Sequence, residues 1–168
     1  MLSYGQVRIS LLQLYYSELP IYNMSFDINI RSKLDLVLFE KSLNYLLISY
    51  KELKTNVKII NDKLEKTYNN KKLKIEKYFD NNVKNKEKEF INNVFDISND
   101  LLIKVLYLEN EKRLIFLFND LIIDGYTIII FFKKLSIIYD SLFNKTIIKI
   151  TNNNKKISNN IKLNLNYW

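Results

Sequence analysis

Residues 116–130 read FLFNDLIIDGYTIII. Two polar pairs, Asn119-Asp120 and Asp124-Gly125, interrupt apolar runs, and Gly125 is one of only two glycines in the chain. Acids held between hydrophobic segments suit a catalytic loop, because a low-dielectric setting changes what a carboxylate can do. They also suit a turn. At a strand end Asn119 and Asp120 can satisfy local backbone donors, Asp124 can cap a helix beginning near Gly125 or Tyr126, and Gly125 permits a tight strand-to-helix turn.

The chain has no histidine and no cysteine. Ser-His and Cys-His nucleophile systems are therefore excluded, a zinc site is disfavoured, and there is neither a disulfide framework nor thiol chemistry. No bound cofactor and no metal are expected. The net charge of +8 invites a nucleic-acid reading, but the tail from Lys145 to Trp168 holds five lysines and no acid. The remaining charge is spread over mixed-sign segments such as KNKEKEF, read as a solvated helix face, so no nucleic-acid partner is expected. The start lacks a basic segment followed by an unbroken apolar one, and Asn119, Asp120 and Asp124 interrupt the stretch 114–132 that could otherwise span a bilayer. The expectation is a soluble, cytoplasmic chain without membrane contact.

At 168 residues, with 48% hydrophobic content, 12 Tyr and 10 Phe, the chain is one domain or part of one, able to bury a core. The surplus of Ile, Lys and Asn matches the codon bias of an AT-rich genome. Tyr15, Tyr16, Tyr45 and Tyr50 are read as core rather than as a ligand platform.

The elements that must hold the Asn119–Gly125 segment follow from periodicity. Ser3 and Gln6 form a capping-box pattern before a helix with Val7, Leu11, Leu12, Leu14 and Tyr15 on its apolar face. Residues 22–30 alternate strictly, with Tyr22, Met24, Phe26, Ile28 and Ile30 on one side of a half-buried strand. Asp35 caps a helix carrying Leu36, Phe39, Leu43, Leu46, Leu47 and Tyr50 on one face. Residues 57–60 and 73–79 read as short strands around a polar excursion, NDKLEKTYNN, and residues 85–94 as a surface helix. Residues 101–108 and 113–118 make a hairpin at the centre of a sheet. A buried helix spans 127–143, and the Asn/Lys-rich remainder is low in complexity. This order predicts an α+β sandwich with helices covering a mixed or mainly antiparallel sheet.

Several segments, taken in order, resemble the amino-terminal half of a condensation domain of nonribosomal peptide synthetases, in the chloramphenicol acetyltransferase-like superfamily. LSYGQVRISLLQL from Leu2 is similar to the opening motif, and YNMSFDI from Tyr22 to the Tyr-Asn that starts the first strand. LDLVLFEKSLNYLLISYKELKTNV from Leu34 is similar to the segment ending in Arg-His-Glu, one residue, then Leu-Arg-Thr. FDISNDLLIKVLYL from Phe95 resembles the Phe-Asp-Leu element, and NDLIIDG from Asn119 falls where the family carries His-His, three residues, Asp-Gly. IIYDSL resembles the helix after that signature.

The resemblance implies a two-layer sandwich fold and amide formation between carrier-bound aminoacyl thioesters on pantetheine arms. Its partners would be peptidyl or acyl carrier proteins and other synthetase domains. Residues 1–144 would be the acyltransferase-like subdomain, and 145–168 a basic tail or the start of the crossover to a second half. The departures are specific. Asn119 and Asp120 replace both histidines, and Ser49 and Lys54 replace both arginines of the upstream motif.

Asp120 in the histidine's place would be a poor base toward an ammonium unless burial raised its pKa from about 3.9, whereas Asn119 cannot carry a proton. In the family the aspartate at Asp124 is structural, holding its loop through an ion pair with an arginine. Here Lys54, or else Arg8, would serve, against the alternative of a helix cap. The resulting expectation is a condensation-domain half, degenerate or inactive as an isolated chain. Two alternatives stand beside it: a non-catalytic docking module, and an oligomeric CoA-dependent-type acyltransferase. The face left open by a missing half would favour self-association.

Overall fold

The computed structural model describes residues 1–145; the reading of the tail and its crossover lies outside them. Four helices and six strands follow in the order α1 (Tyr4–Tyr15), β1 (Asn23–Asn29), α2 (Leu36–Ser49), β2 (Thr55–Ile60), β3 (Lys63–Tyr68), β4 (Ile75–Tyr78), α3 (Val83–Ile91), β5 (Ile103–Leu108), β6 (Arg113–Asn119) and α4 (Thr127–Phe143). The architecture is α+β, with a four-stranded mixed sheet in the order β1-β6-β5-β4 and a separate β2-β3 hairpin. β1 and β5 flank β6 antiparallel, while β4 joins β5 in parallel.

β5 and β6 are the central hairpin that their apolar runs predict, and residues 114–119 of β6 are all buried. Side chains of β6 alternate between two different environments, as the pleat requires. Phe116 and Phe118 stack at 6.0 Å and meet Phe131 and Phe132 of α4 edge-on. Phe39 of α2 and Phe26 of β1 complete the same cluster. This aromatic layer joins α2 and α4 to one face of the sheet. On the other face Arg113 of β6 pairs with Asp27 of β1 at 3.0 Å and with Glu87 of α3 at 2.7 Å, and Asn23 donates to the carbonyls of Ile91 and Asn93. Asn23 and Asp27 of β1 are thus engaged from the α3 side, while Asn29 at the strand end is exposed.

Both predicted caps are present. The Ser3 side chain accepts from Gln6 N and the Gln6 side chain accepts from Ser3 N; Asp35 accepts from Leu38 N at 2.9 Å. Phe95 and Ile97 are buried, while Asp96 between them turns the chain by accepting from Ser98 N and from the Asn99 amide.

Three expectations are corrected. NDKLEKTYNN is not an excursion but contains β3. Asn61 and Asp62, with φ 50° and 59°, make a two-residue hairpin turn of the kind these residue types tolerate. The apolar face assigned to α1 is only partly turned inward: Val7 and Leu12 are half-buried, Leu11 and Tyr15 are exposed, Leu14 is at the margin, and the fully buried residues are Ser10 and Gln13. The surface under α1 is a strand end and a turn whose polar groups need partners, so the polar stripe turns inward. The tyrosines read as core also differ, since Tyr15, Tyr16 and Tyr45 are exposed and Tyr50 is half-buried.

Candidate functional site

Asn119 is the last residue of β6, opposite Asn23 of β1, and is fully buried. Its backbone N–H continues the ladder to Leu102 O at 3.0 Å, and its carbonyl accepts from Ile122 N at 3.1 Å, which turns the chain immediately. Its side chain is equally committed. Oδ1 accepts from Leu121 N at 3.0 Å, and Nδ2 donates to Gln13 Oε1 on α1 at 2.9 Å. A second link, from Gln6 Nε2 to Leu121 O at 3.1 Å, ties the same helix to the same turn. Asn119 therefore serves local backbone donors, and an amide contact from β6 to α1 consumes the rest.

Asp120 departs from that pattern. Its N–H donates to Tyr22 O at 2.9 Å, which fixes the backbone. Its side chain is half-buried, and Oδ1 is shielded from solvent without a hydrogen-bond partner. Burial pushes the carboxyl above the usual carboxylate range, because the charged form loses hydration that nothing replaces. Only the backbone of Asp120 serves the turn. The shift of its carboxylate runs in the direction that favours proton acceptance.

Asp124 is an exposed cap. Oδ1 accepts from Thr127 N at 2.7 Å and Tyr126 N at 3.1 Å, and its carbonyl accepts from Ile128 N at 3.0 Å. Hydrogen bonds from Thr127, with Tyr126 adding to them, hold its carboxyl below the ordinary range. Neither Lys54 nor Arg8 forms an ion pair with it; the expectation of a lysine replacing the family's arginine is not met. The cap makes an ion pair unnecessary, since two donors at a helix start already stabilise the charge. Gly125 lies in the turn, as expected, but the reason differs. Its φ is not positive, and an added Cβ would meet nothing within 4 Å. The turn makes no use of glycine's conformational freedom, and the position opens onto free space.

The structure thus brings Asn119 and Asp120 together at one strand end, with Asp124 five residues on at the start of α4. The sequence reading takes Gln6 only as the capping partner of Ser3 and does not single out Gln13; their contacts to the turn are the part it lacks. Their signal was present: residues 6, 10 and 13 share one face of a helix, and all three are polar.

The chain belongs to the Condensation domain family, whose model matches residues 1–156. Among solved structures it is similar to the starter condensation domain of rhizomide synthetase RzmA, with TM-score 0.76 and 16% identity over 87% of this chain and 38% of that one. A variant of that domain in complex with C8-CoA and Leu-SNAC matches with TM-score 0.78 at 16% identity, over 87% of this chain and 36% of that one. The first condensation domain of the calcium-dependent antibiotic synthetase, bound to a substrate analogue, matches with TM-score 0.75 and 12% identity over 89% of this chain and 39% of that one. No curated protein matches. The chain spans a little under two fifths of the length of these solved chains, and at such identities the likeness concerns the fold.

Proposed function

We propose that this chain is a condensation-domain half that retains the fold of an amide-forming acyltransferase but has lost its acid–base step as an isolated chain. The observation that carries this reading is the commitment of Asn119. At the strand end where the family places its signature, the first position is a buried amide with both side-chain atoms hydrogen-bonded. The second position, Asp120, is a carboxylate whose shielded oxygen accepts no hydrogen bond. In the intact family reaction the amine of one carrier-bound aminoacyl thioester attacks another thioester. Alignment of the two supplies most of the acceleration, and general-base help adds about 100- to 10,000-fold. Asp120 keeps a raised basicity, but no side chain hydrogen-bonds its carboxylate. The substrates would be pantetheine-linked thioesters, and no bound cofactor is expected of the chain itself. The test is mass spectrometry of product after incubation with carrier-bound aminoacyl donors and acceptors, where no dipeptide is expected.

A second reading, as a docking module, is supported by α1. Tyr4, Leu11 and Tyr15 recur at helical spacing on its outer face and are all exposed. A carrier protein, another synthetase segment or a second copy of the chain would be its partner. Recovery of none of these in a pull-down, together with a monomeric solution mass, contradicts it. Among the described residues no helix is long and apolar enough to cross a membrane.

A further inference from the structure

We infer that Gln13 is a positioning residue for Asp120, acting through Asn119. The inference deepens the reading above and rests on its assignment of the β6 end as the site, but its test needs no activity.

The two fully buried side chains of α1 are polar. Gln13 is only 2% exposed and Ser10 is fully buried, while Leu11 and Tyr15 face outward. Ser10 satisfies itself by donating to Gln6 O at 2.7 Å. Gln13 has no partner on its own helix. Its oxygen accepts from Asn119 Nδ2, and its own Nε2 is shielded from solvent and unpartnered. An amide of this kind is costly to bury, and apolar packing would be cheaper at the same place. What the contact secures is Asn119. With Nδ2 held, Oδ1 is aimed at Leu121 N, and the turn 119–122 closes on two bonds, Leu121 N to the side chain and Ile122 N to the carbonyl. Asp120 sits inside that closed turn, with its N–H on Tyr22 O. Its Oδ1 is shielded from solvent without a hydrogen-bond partner, and burial rather than any charged group raises the carboxyl.

The test is a carboxyl-carbon NMR titration of Asp120 in the full chain, alongside thermal unfolding. Gln13→Met keeps the volume and removes the acceptor. With the turn loosened, the carboxyl reaches water, and its acid dissociation constant should rise at least threefold toward the ordinary carboxylate value. Gln13→Glu keeps an oxygen for Asn119 and should leave the raised titration in place. A folded Gln13→Met protein with lowered melting temperature but unchanged Asp120 titration overturns the inference and leaves Gln13 a packing residue. Should that variant fail to fold, amide exchange in the unaltered chain decides. Protection of Leu121 N–H is expected, and exchange at the free-loop rate overturns the inference. Absence of dipeptide product bears on the functional reading and not on this one.

Discussion

Thr127 N lies 2.7 Å from Asp124 Oδ1, so the acid three residues ahead holds the first turn of α4. Replacing Asp124 with Ala should cost about 1 kcal/mol, within the usual range for a lost N-cap, and Asp124→Asn should cost much less because an oxygen acceptor remains. The Asp124 carboxyl is held below its unfolded value. Its contribution is present above the unfolded pKa of about 3.9 and is lost as pH falls through the folded value. Chemical denaturation of the wild type and both variants at neutral pH and at about pH 3, taken as an order-of-magnitude window, checks both statements.

Asp120 should behave with the opposite sign. Its folded pKa is raised by burial, so the protonated form is favoured in the folded state and stability falls as pH rises through the folded value. Asp120→Asn should therefore unfold at a higher temperature than the wild type at neutral pH. The advantage should shrink as the pH is lowered below the folded pKa. A variant less stable at neutral pH would show that an unseen partner satisfies the carboxylate.

Arg113 holds three acids from three segments: Asp27 on β1, Glu87 on α3, and Glu111 in the β5–β6 turn. The Glu87 contact is a fork, with both guanidinium nitrogens donating. Arg113→Met should cost about 2 kcal/mol, because it leaves half-buried carboxylates unmatched, discounted from fully buried pairs for partial exposure. Arg113→Lys should lose part of this, since a point charge cannot reproduce the fork. Loss of amide protection in α3 ahead of the rest of the chain is the expected exchange signature.

Phe116 touches Phe39, Phe118, Phe131 and Phe132 and has no exposed surface. Phe116→Ala should cost about 3–5 kcal/mol, as large core truncations do. Equilibrium unfolding in urea measures this directly, and a loss under 1 kcal/mol would mean that the aromatic layer repacks.

The periodic and capped elements were legible in the sequence. Thr127–Phe143 is helical to the residue, Ser3 with Gln6 and Asp35 cap where their types predict, and the β5–β6 hairpin sits at the sheet centre. Alternation located β1. Two failures share a cause, the weighting of hydrophobicity over local backbone chemistry. β3 was passed over because its residues are mostly polar, although Asn61-Asp62 between Ile60 and Lys63 is a hairpin-turn pair. The apolar pattern of Val7, Leu11, Leu12, Leu14 and Tyr15 does not show that α1 meets a strand end and turn through Gln6 and Gln13. At the site, the position of Asn119, Asp120 and Asp124 was legible, but their environments were not. Which carboxylate is buried without a partner and which is capped depends on the turn and on α1, which meets Asn119 across more than a hundred residues of chain.

The central claim is that the fold persists at Asn119–Asp120 while the acid–base step does not. The most direct measurement is product analysis by mass spectrometry, with carrier-bound aminoacyl donor and acceptor, for the wild type and Asp120→Ala. The account predicts no dipeptide above the uncatalysed background from either protein. Dipeptide formed by the wild type and lost in Asp120→Ala would contradict it, and would establish the buried carboxylate as a working substitute for the histidine.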